Sequence, residues 1–180
     1  APVYAMLLKK ARGNGIENIR LLTSLKVMPP VIDWICGEKR DSGIDGFLAP
    51  GHVSVITGSR AFEGLAEKYG IPFVVAGFEG GQILAAIGAL VKLRGTGKTV
   101  NMYTSAVTRE GNRKAQAAVE EYFEPADASW RGMGVIPGSG MVLRKEYEAF
   151  DAGSRALMED KERNKGCCCA RVLTGKIRPC

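Results

Sequence analysis

Two short segments carry the side chains best suited to chemistry. His52, the only histidine of the chain, lies within residues 50–54, and Glu79 lies within residues 77–81. An imidazole can bind a metal ion or move protons near neutral pH. A carboxylate at a helix N-terminus can orient such a group, or it can simply stabilise the helix dipole. Each residue alone is more often an ordinary surface group, so a functional site is predicted only if the two lie together.

The elements before these segments indicate that they do. Residues 45–49 and 72–77 are predicted strands, and the second is a continuous apolar run typical of a buried parallel strand. A helix predicted at residues 61–69, ended by Gly70, would join them. When neighbouring parallel strands are joined in this way, the loops that follow them lie at the same edge of the sheet. Open α/β sheets bind ligands at that edge. The sequence therefore predicts one crevice for His52 and Glu79, as catalytic residues or, for His52, as a metal ligand.

A second candidate site lies near the end of the chain. Of the five cysteines, Cys36 stands alone and the others are Cys167, Cys168, Cys169 and Cys180, a pattern that does not fit a disulfide framework. In an extended segment alternate residues face one side, so the thiolates of Cys167 and Cys169 could share zinc or an iron–sulfur cluster. A 4Fe-4S cluster needs four ligands, so the site is incomplete here, and unbound thiols are the alternative. Cys36 is predicted to be a buried core thiol.

The rest of the chain alternates helices with strands. Helices are predicted at residues 4–11, 31–37, 82–93 and 112–122, a buried strand at 19–22, and short β pieces at 132–143 around a tight turn at 137–140. This alternation predicts an α/β, Rossmann-like fold: a mainly parallel sheet with helices on both faces. Apolar periodicity is lost after residue 151. We therefore predict α/β structure in residues 1–151, and a linker and the start of a small cysteine-containing segment in residues 152–180.

Composition narrows the classes of partner. The net charge is +6, but basic and acidic residues alternate and no basic run is interleaved with aromatics, so no nucleic-acid partner is expected. No apolar stretch approaches the ~18 residues of a membrane span, and no signal-peptide pattern opens the chain. We expect a cytoplasmic protein without membrane association. The start at Ala1 and the end at Cys180 also predict that both ends are internal to a longer protein.

Several motifs occur together in one order. Residues 44–58 are IDGFLAPGHVSVITG, residues 72–79 end in GFE, residues 123–127 are FEPAD, residues 130–140 are WRGMGVIPGSG, and residues 166–169 are GCCC. With these motifs, which cover nearly the whole chain, the sequence resembles the HypD family of hydrogenase maturation factors.

The resemblance implies a scaffold that holds iron while cyanide and carbon monoxide are added during nickel–iron hydrogenase maturation. It implies α/β domains and a 4Fe-4S cluster in a C-terminal domain. The implied partners are a HypC-type chaperone, the cyanide-delivery proteins HypE and HypF and, indirectly, the hydrogenase large subunit. It assigns His52 to the iron-handling cleft with Glu79 beside it, and it matches Cys167 and Cys169 to the C-x-C of the cluster region. The cleft cysteines of the family's CGTH and GPGCPVC motifs do not occur in this sequence.

The sequence departs from the family pattern at a few positions. Leu25 stands where the family usually has a histidine, Ser105 where it has an arginine, and Cys168 where a basic residue is common; Cys180 is not assigned as a ligand. Two other hypotheses stay open. One is a small-molecule α/β enzyme with His52 as acid–base residue and Glu79 as its orienting group. The other is a non-catalytic partner-docking module.

Overall fold

The computed structural model describes residues 1–38, 43–159, 171 and 177. In chain order its elements are α1 (Pro2–Gly13), β1 (Leu25–Lys26), α2 (Met28–Glu38), β2 (Phe47–Pro50), α3 (Gly51–Thr57), α4 (Glu63–Tyr69), β3 (Phe73–Ala76), α5 (Gly80–Leu93), β4 (Thr99–Asn101), α6 (Arg113–Tyr122), β5 (Phe123–Trp130), β6 (Gly134–Leu143) and α7 (Ser154–Glu159). Short 3-10 helices occupy Ser59–Phe62 and Lys145–Phe150. The predicted α/β class is confirmed.

The chain divides into two compact units. The parallel unit is Gly43–Gln116, and the antiparallel unit comprises the described residues within Ala1–Ser42 and Ala117–Cys180. Each unit has its own three-stranded sheet. Each unit is named for the direction of its paired strands. The sequence predicted a mainly parallel sheet and did not predict the separate antiparallel sheet.

The parallel unit is built around β3. Its strand order is β2-β3-β4 with all pairs parallel, and all four residues of β3 are buried. The Phe73 ring stacks on Phe47 (centroids 4.9 Å apart) and on Phe62 of the 3-10 helix (5.5 Å). Val74 belongs to a cluster with Ala86 of α5. Because successive strand residues point to opposite faces, helical segments cover both faces of β3, as predicted.

The antiparallel unit is dominated by a long hairpin. β5 and β6 pair from Phe123↔Leu143 to Trp130↔Gly134, and β1 adds to the other edge of β6. The hairpin packs on α1 and α6 through a core that includes Leu8, Tyr122, Phe123 and Leu143. The sequence predicted only short β pieces here.

The prediction of a tight turn at residues 137–140 is wrong. These residues lie inside β6, where the pairing register shifts between Ala126 and Ala128 of the partner strand. The shift marks a bulge, where inserted residues are left unpaired, so a proline there removes no ladder hydrogen bond. Buried Ser139 fixes the bulge: its Oγ accepts from Trp130 Nε1 (2.7 Å) and donates to the Ile136 carbonyl (2.7 Å).

The predicted strand at residues 19–22 is also wrong. Leu21 forms an isolated parallel bridge to Asp151, with its N–H donated to Phe150 O (2.7 Å) and its carbonyl accepting from Ala152 N (2.8 Å). The next buried amide, that of Thr23, donates to the Ser154 hydroxyl (2.9 Å). Because that partner is a side chain, no ladder continues.

The structure describes only part of residues 152–180, which were predicted to be a linker and a cysteine-containing segment. α7 occupies the first part of the predicted linker, whereas Cys167, Cys168, Cys169 and Cys180 lie outside the described residues. The boundary at residue 151 and the cysteine segment therefore stay predictions. Along the described part of the chain, no helix has the length and apolar character needed to cross a bilayer.

Candidate functional site

The two predicted site segments start at the same edge of the parallel unit. Pro50, the last residue of β2, pairs with Ala76, the last residue of β3, in parallel register. The chain continues from these residues into the segments that carry His52 and Glu79. This edge lies beyond the carboxyl ends of the strands, the usual ligand position of open α/β sheets.

The first segment is a helix rather than a loop. α3 begins at Gly51, directly after β2. A Cβ on Gly51 would lie 2.5 Å from the Ala76 carbonyl oxygen and 2.6 Å from the Tyr103 ring, so only glycine lets the helix start this close to the end of β3. Buried Ser54 donates its hydroxyl back to the Pro50 carbonyl (2.9 Å), which satisfies it inside the unit.

His52 is the second residue of α3, and its side chain is exposed. Its ring contacts Phe78 from the segment after β3, with centroids 5.2 Å apart and planes tilted by 41°. Phe78 itself is 65% exposed, which is unusual for a phenylalanine. The pair therefore forms an aromatic contact across the strand ends with one side open to solvent.

Glu79 caps α5 only through its backbone. Its carbonyl accepts from Ile83 N (3.0 Å), whereas its exposed carboxylate makes no capping hydrogen bond. Among the described residues, no hydrogen bond or ion pair joins Glu79 to His52. The structure thus brings His52 to Phe78, a contact that the sequence reasoning did not anticipate, and the joint role of His52 and Glu79 stays a prediction.

A third segment completes the edge and was also missed. Asn101, the last residue of β4, accepts from Tyr103 N through Oδ1 (2.9 Å) and donates through Nδ2 to the Val107 carbonyl (2.7 Å). These bonds order the turn that sets the Tyr103 ring against Gly51. An asparagine directly after an apolar strand is the signal that could have revealed this turn. Ser105, one of the departures from the family pattern, is exposed within it.

The described residues do not form a cluster site by themselves. In the described ranges, no three His, Cys, Asp or Glu side chains converge as metal ligands. A 4Fe-4S cluster takes four ligands, usually thiolates, and the described residues bring no such set together. Cys36 is a buried thiol in α2, 6% exposed, as predicted. Cys167 and Cys169 lie outside the described residues.

The known proteins similar to this chain are all named for hydrogenase formation or maturation. A model of the HypD family, described as the hydrogenase formation hypA family, matches residues 1–180. A hydrogenase expression/formation protein of Methanocaldococcus jannaschii is 38% identical over 99% of this chain and 51% of its own length. The hydrogenase maturation factors HypD of Cupriavidus necator and Escherichia coli are each 36% identical over 99% of this chain, which covers 50% and 49% of them. The chain thus spans about half the length of these curated relatives.

Proposed function

The chain belongs to the HypD hydrogenase formation family, and from this premise we propose that it forms part of a scaffold in nickel–iron hydrogenase maturation. Iron is the cargo of this scaffold, held while its cyanide and carbon monoxide ligands are attached. The observation that carries the proposal is the family match over residues 1–180, together with 36–38% identity to maturation proteins across nearly the whole chain.

We propose that His52 faces the iron and that Glu79 lies beside it. The exposed imidazole at the carboxyl edge of the sheet supports this role, because an approaching metal can reach it. Contact with Phe78 limits the orientations of the ring. The Glu79 carboxylate is not occupied in capping α5, so it can accept a proton or a hydrogen bond from an incoming group.

We propose that Cys167 and Cys169 contribute thiolates to a 4Fe-4S cluster. Their C-x-C spacing supports this, since alternate residues of an extended segment face one side. The remaining ligands would come from elsewhere, because these two thiolates are only half of the four that such a cluster takes. When bound, such a cluster supplies one-electron redox chemistry.

The proposed partners are a HypC-type chaperone, HypE and HypF and, indirectly, the hydrogenase large subunit, all in the cytoplasm. An exposed apolar stripe on α5 supports docking of a protein: Leu84 is 72% exposed, Ile87 44% and Val91 70%. Their spacing puts them on one face of the helix. A helix that is apolar on nearly all sides is normally covered, and exposed apolar patches mark interaction surfaces. The same stripe favours the docking-module hypothesis as the second candidate.

Anaerobic ferrous-iron titration tests the iron role of His52. Because the family's cleft cysteines do not occur in this sequence, the titration is made on the chain extended at both ends. There we expect His52→Ala to weaken iron binding about tenfold or more, since a lost ligand or supporting group typically costs 10–100-fold. Ser105→Ala, an exposed change at the same edge, is the matched control and should bind like the parent. Absence of iron binding, or equal binding by His52→Ala, would count against the proposal.

Two further measurements separate the alternatives. Acid-labile sulfide and visible absorbance in the anaerobic protein, lost in Cys167→Ser and Cys169→Ser, would support the cluster assignment. Partner binding that survives these changes and His52→Ala would favour the docking module. Turnover of a small molecule by metal-free protein, abolished in His52→Ala, would favour the enzyme.

A further inference from the structure

Two turns of the parallel unit lock together through their backbones. Gly58 and Gly111 both have positive φ, +79° and +69°. A Cβ on Gly58 would lie 2.2 Å from the Arg109 carbonyl oxygen, and a Cβ on Gly111 would lie 2.3 Å from the Ile56 carbonyl oxygen. Hydrogen bonds from Arg60 N to Arg109 O and from Asn112 N to Ile56 O, both 3.0 Å, join the turns. We call this contact the glycine clasp (residues 56–60 and 108–112).

The glycine clasp holds an arginine cluster in place. Arg109 donates from Nε and Nη2 to the two oxygens of Glu63, at 2.9 and 2.7 Å. Glu110 is shared: Arg60 Nη1 lies 3.3 Å and Arg109 Nη1 3.7 Å from its oxygens, and Arg113 Nη2 also contacts it. These ion pairs therefore join three guanidiniums to two carboxylates, which leaves an excess of positive charge.

Arg60 and Arg113 keep most of their hydrogen-bonding capacity. Each uses one of its three nitrogens in the ion pairs above, and a guanidinium offers five N–H donors. Both side chains are more than half exposed, 59% and 68%. They line an open cavity of about 420 Å³ together with Thr57, Ala61, Glu110 and Gln116. This volume is in the range of small-molecule sites.

Gln116 makes the cavity wall rigid. Its Nε2 donates to the Ile56 carbonyl at 2.7 Å and to the Glu110 carbonyl at 2.8 Å, so it links both turns of the clasp. The two guanidiniums thus project from a fixed backbone. Preorganised donors lose little entropy on binding, and paired guanidiniums match the oxygens of phosphate.

We propose that Arg60 and Arg113 form a binding site for the phosphate group of a small molecule. The guanidiniums donate to the phosphate oxygens, and Glu110 holds them at the mouth of the cavity. This site uses none of the residues proposed to act on iron and does not depend on the proposed iron function.

Amide chemical shifts of the isotope-labelled chain test the site. Inorganic phosphate is titrated at constant ionic strength, with glycerol 3-phosphate in a parallel arm to distinguish free phosphate from a phosphate ester and with acetate as the carboxylate comparison. We expect saturable shifts at residues 57–60 and 110–116 with either phosphate compound. Saturation by the ester alone would assign the site to phosphate esters, and saturation by acetate at the same concentration would overturn the phosphate assignment.

Variants identify the groups responsible. Arg60→Gln and Arg113→Gln should each weaken binding about tenfold, whereas Arg94→Gln should not. Arg94 is the matched control because it is equally exposed (69%) and ion-paired, to Asp45, within the same unit. Unchanged thermal unfolding confirms that the variants fold. Shifts that stay linear with concentration, or equal affinity in all three variants, would sink the proposal.

Discussion

At the scale of single residues, the ion pair between Arg109 and Glu63 is bidentate. Its two parallel N–H···O bonds form the fork geometry that guanidinium and carboxylate favour. Hydrogen bonding from Arg109 lowers the pKa of Glu63. A carboxyl group whose pKa is lower in the folded chain stabilises that state above its unfolded pKa, and this contribution is lost as the pH falls through the folded pKa.

Glu63→Gln should therefore lower the melting temperature at neutral pH but not in acid. Because unfolded glutamate titrates near pH ~4.3, the difference from the parent should shrink below about pH 4. Glu67→Gln, an exposed change on the same helix, is the control and should have little effect at either pH. A Glu63→Gln deficit of equal size at pH 3 and pH 7 would show that the ion pair is not its cause.

The sequence was sufficient to predict the shared edge of the two site segments but not the side-chain contact between them. The strand–loop pattern was enough to bring the segments of His52 and Glu79 to one edge, because parallel pairing alone dictates that geometry. The ring contact between His52 and Phe78 depends on how close α3 starts to β3. That distance is set by Gly51 against the Ala76 carbonyl, a three-dimensional approach that spacing along the chain does not encode.

At the scale of elements, predictability followed the strength of the local pattern. β3 and α5 are apolar runs of clear length, and both were predicted from the sequence. β6 was predicted only as short β pieces around a turn, because Pro137 and two glycines are typical turn residues. The bulge in which they lie is stabilised by Ser139 with Trp130 and by Asp127, whose carboxylate accepts from Gly138 N (2.9 Å). Those partners lie across the hairpin, so the local sequence gave no sign of them.

The apolar stripe of α5 gives a prediction at this scale. Leu84→Asp should leave the unfolding free energy within about 0.5 kcal/mol of the parent, because the side chain is 72% exposed. It should nevertheless abolish capture of a HypC-type partner in a pull-down assay. Lys92→Asp, which puts the same carboxylate on this helix outside the stripe, is the control. Undiminished capture by Leu84→Asp would exclude the stripe as the docking surface.

At the scale of the whole molecule, the chain contains two units with separate cores. The parallel unit buries Phe62, Phe73 and Val75, and the antiparallel unit buries Leu8, Tyr122 and Ile136. A unit with its own core and sheet can fold without the rest of its chain. The sequence did not reveal this division, because the antiparallel unit combines residues from both ends of the chain and periodicity is a local property.

Residues 43–116 expressed alone should therefore fold. We expect a helical circular-dichroism spectrum and a cooperative thermal transition, since the unit is one continuous segment that keeps all three parallel strands. The variant Val74→Asp in the same segment serves as the unfolded reference, because it puts a charge at a fully buried position. A melting curve without a transition, like that of the reference, would show that the unit depends on the remainder of the chain.

The glycine clasp has an evolutionary consequence. The atoms that exclude a side chain at Gly58 and Gly111 are main-chain atoms, which every amino acid possesses. No second mutation elsewhere can remove them, so neither position has a compensating partner. We therefore expect replacement of either glycine to be harmful whatever residue occupies the other position. Paired substitutions, which mark contacts between side chains, should not occur here. In a selection for suppressors of Gly111→Ala, true revertants should therefore outnumber second-site changes within the clasp.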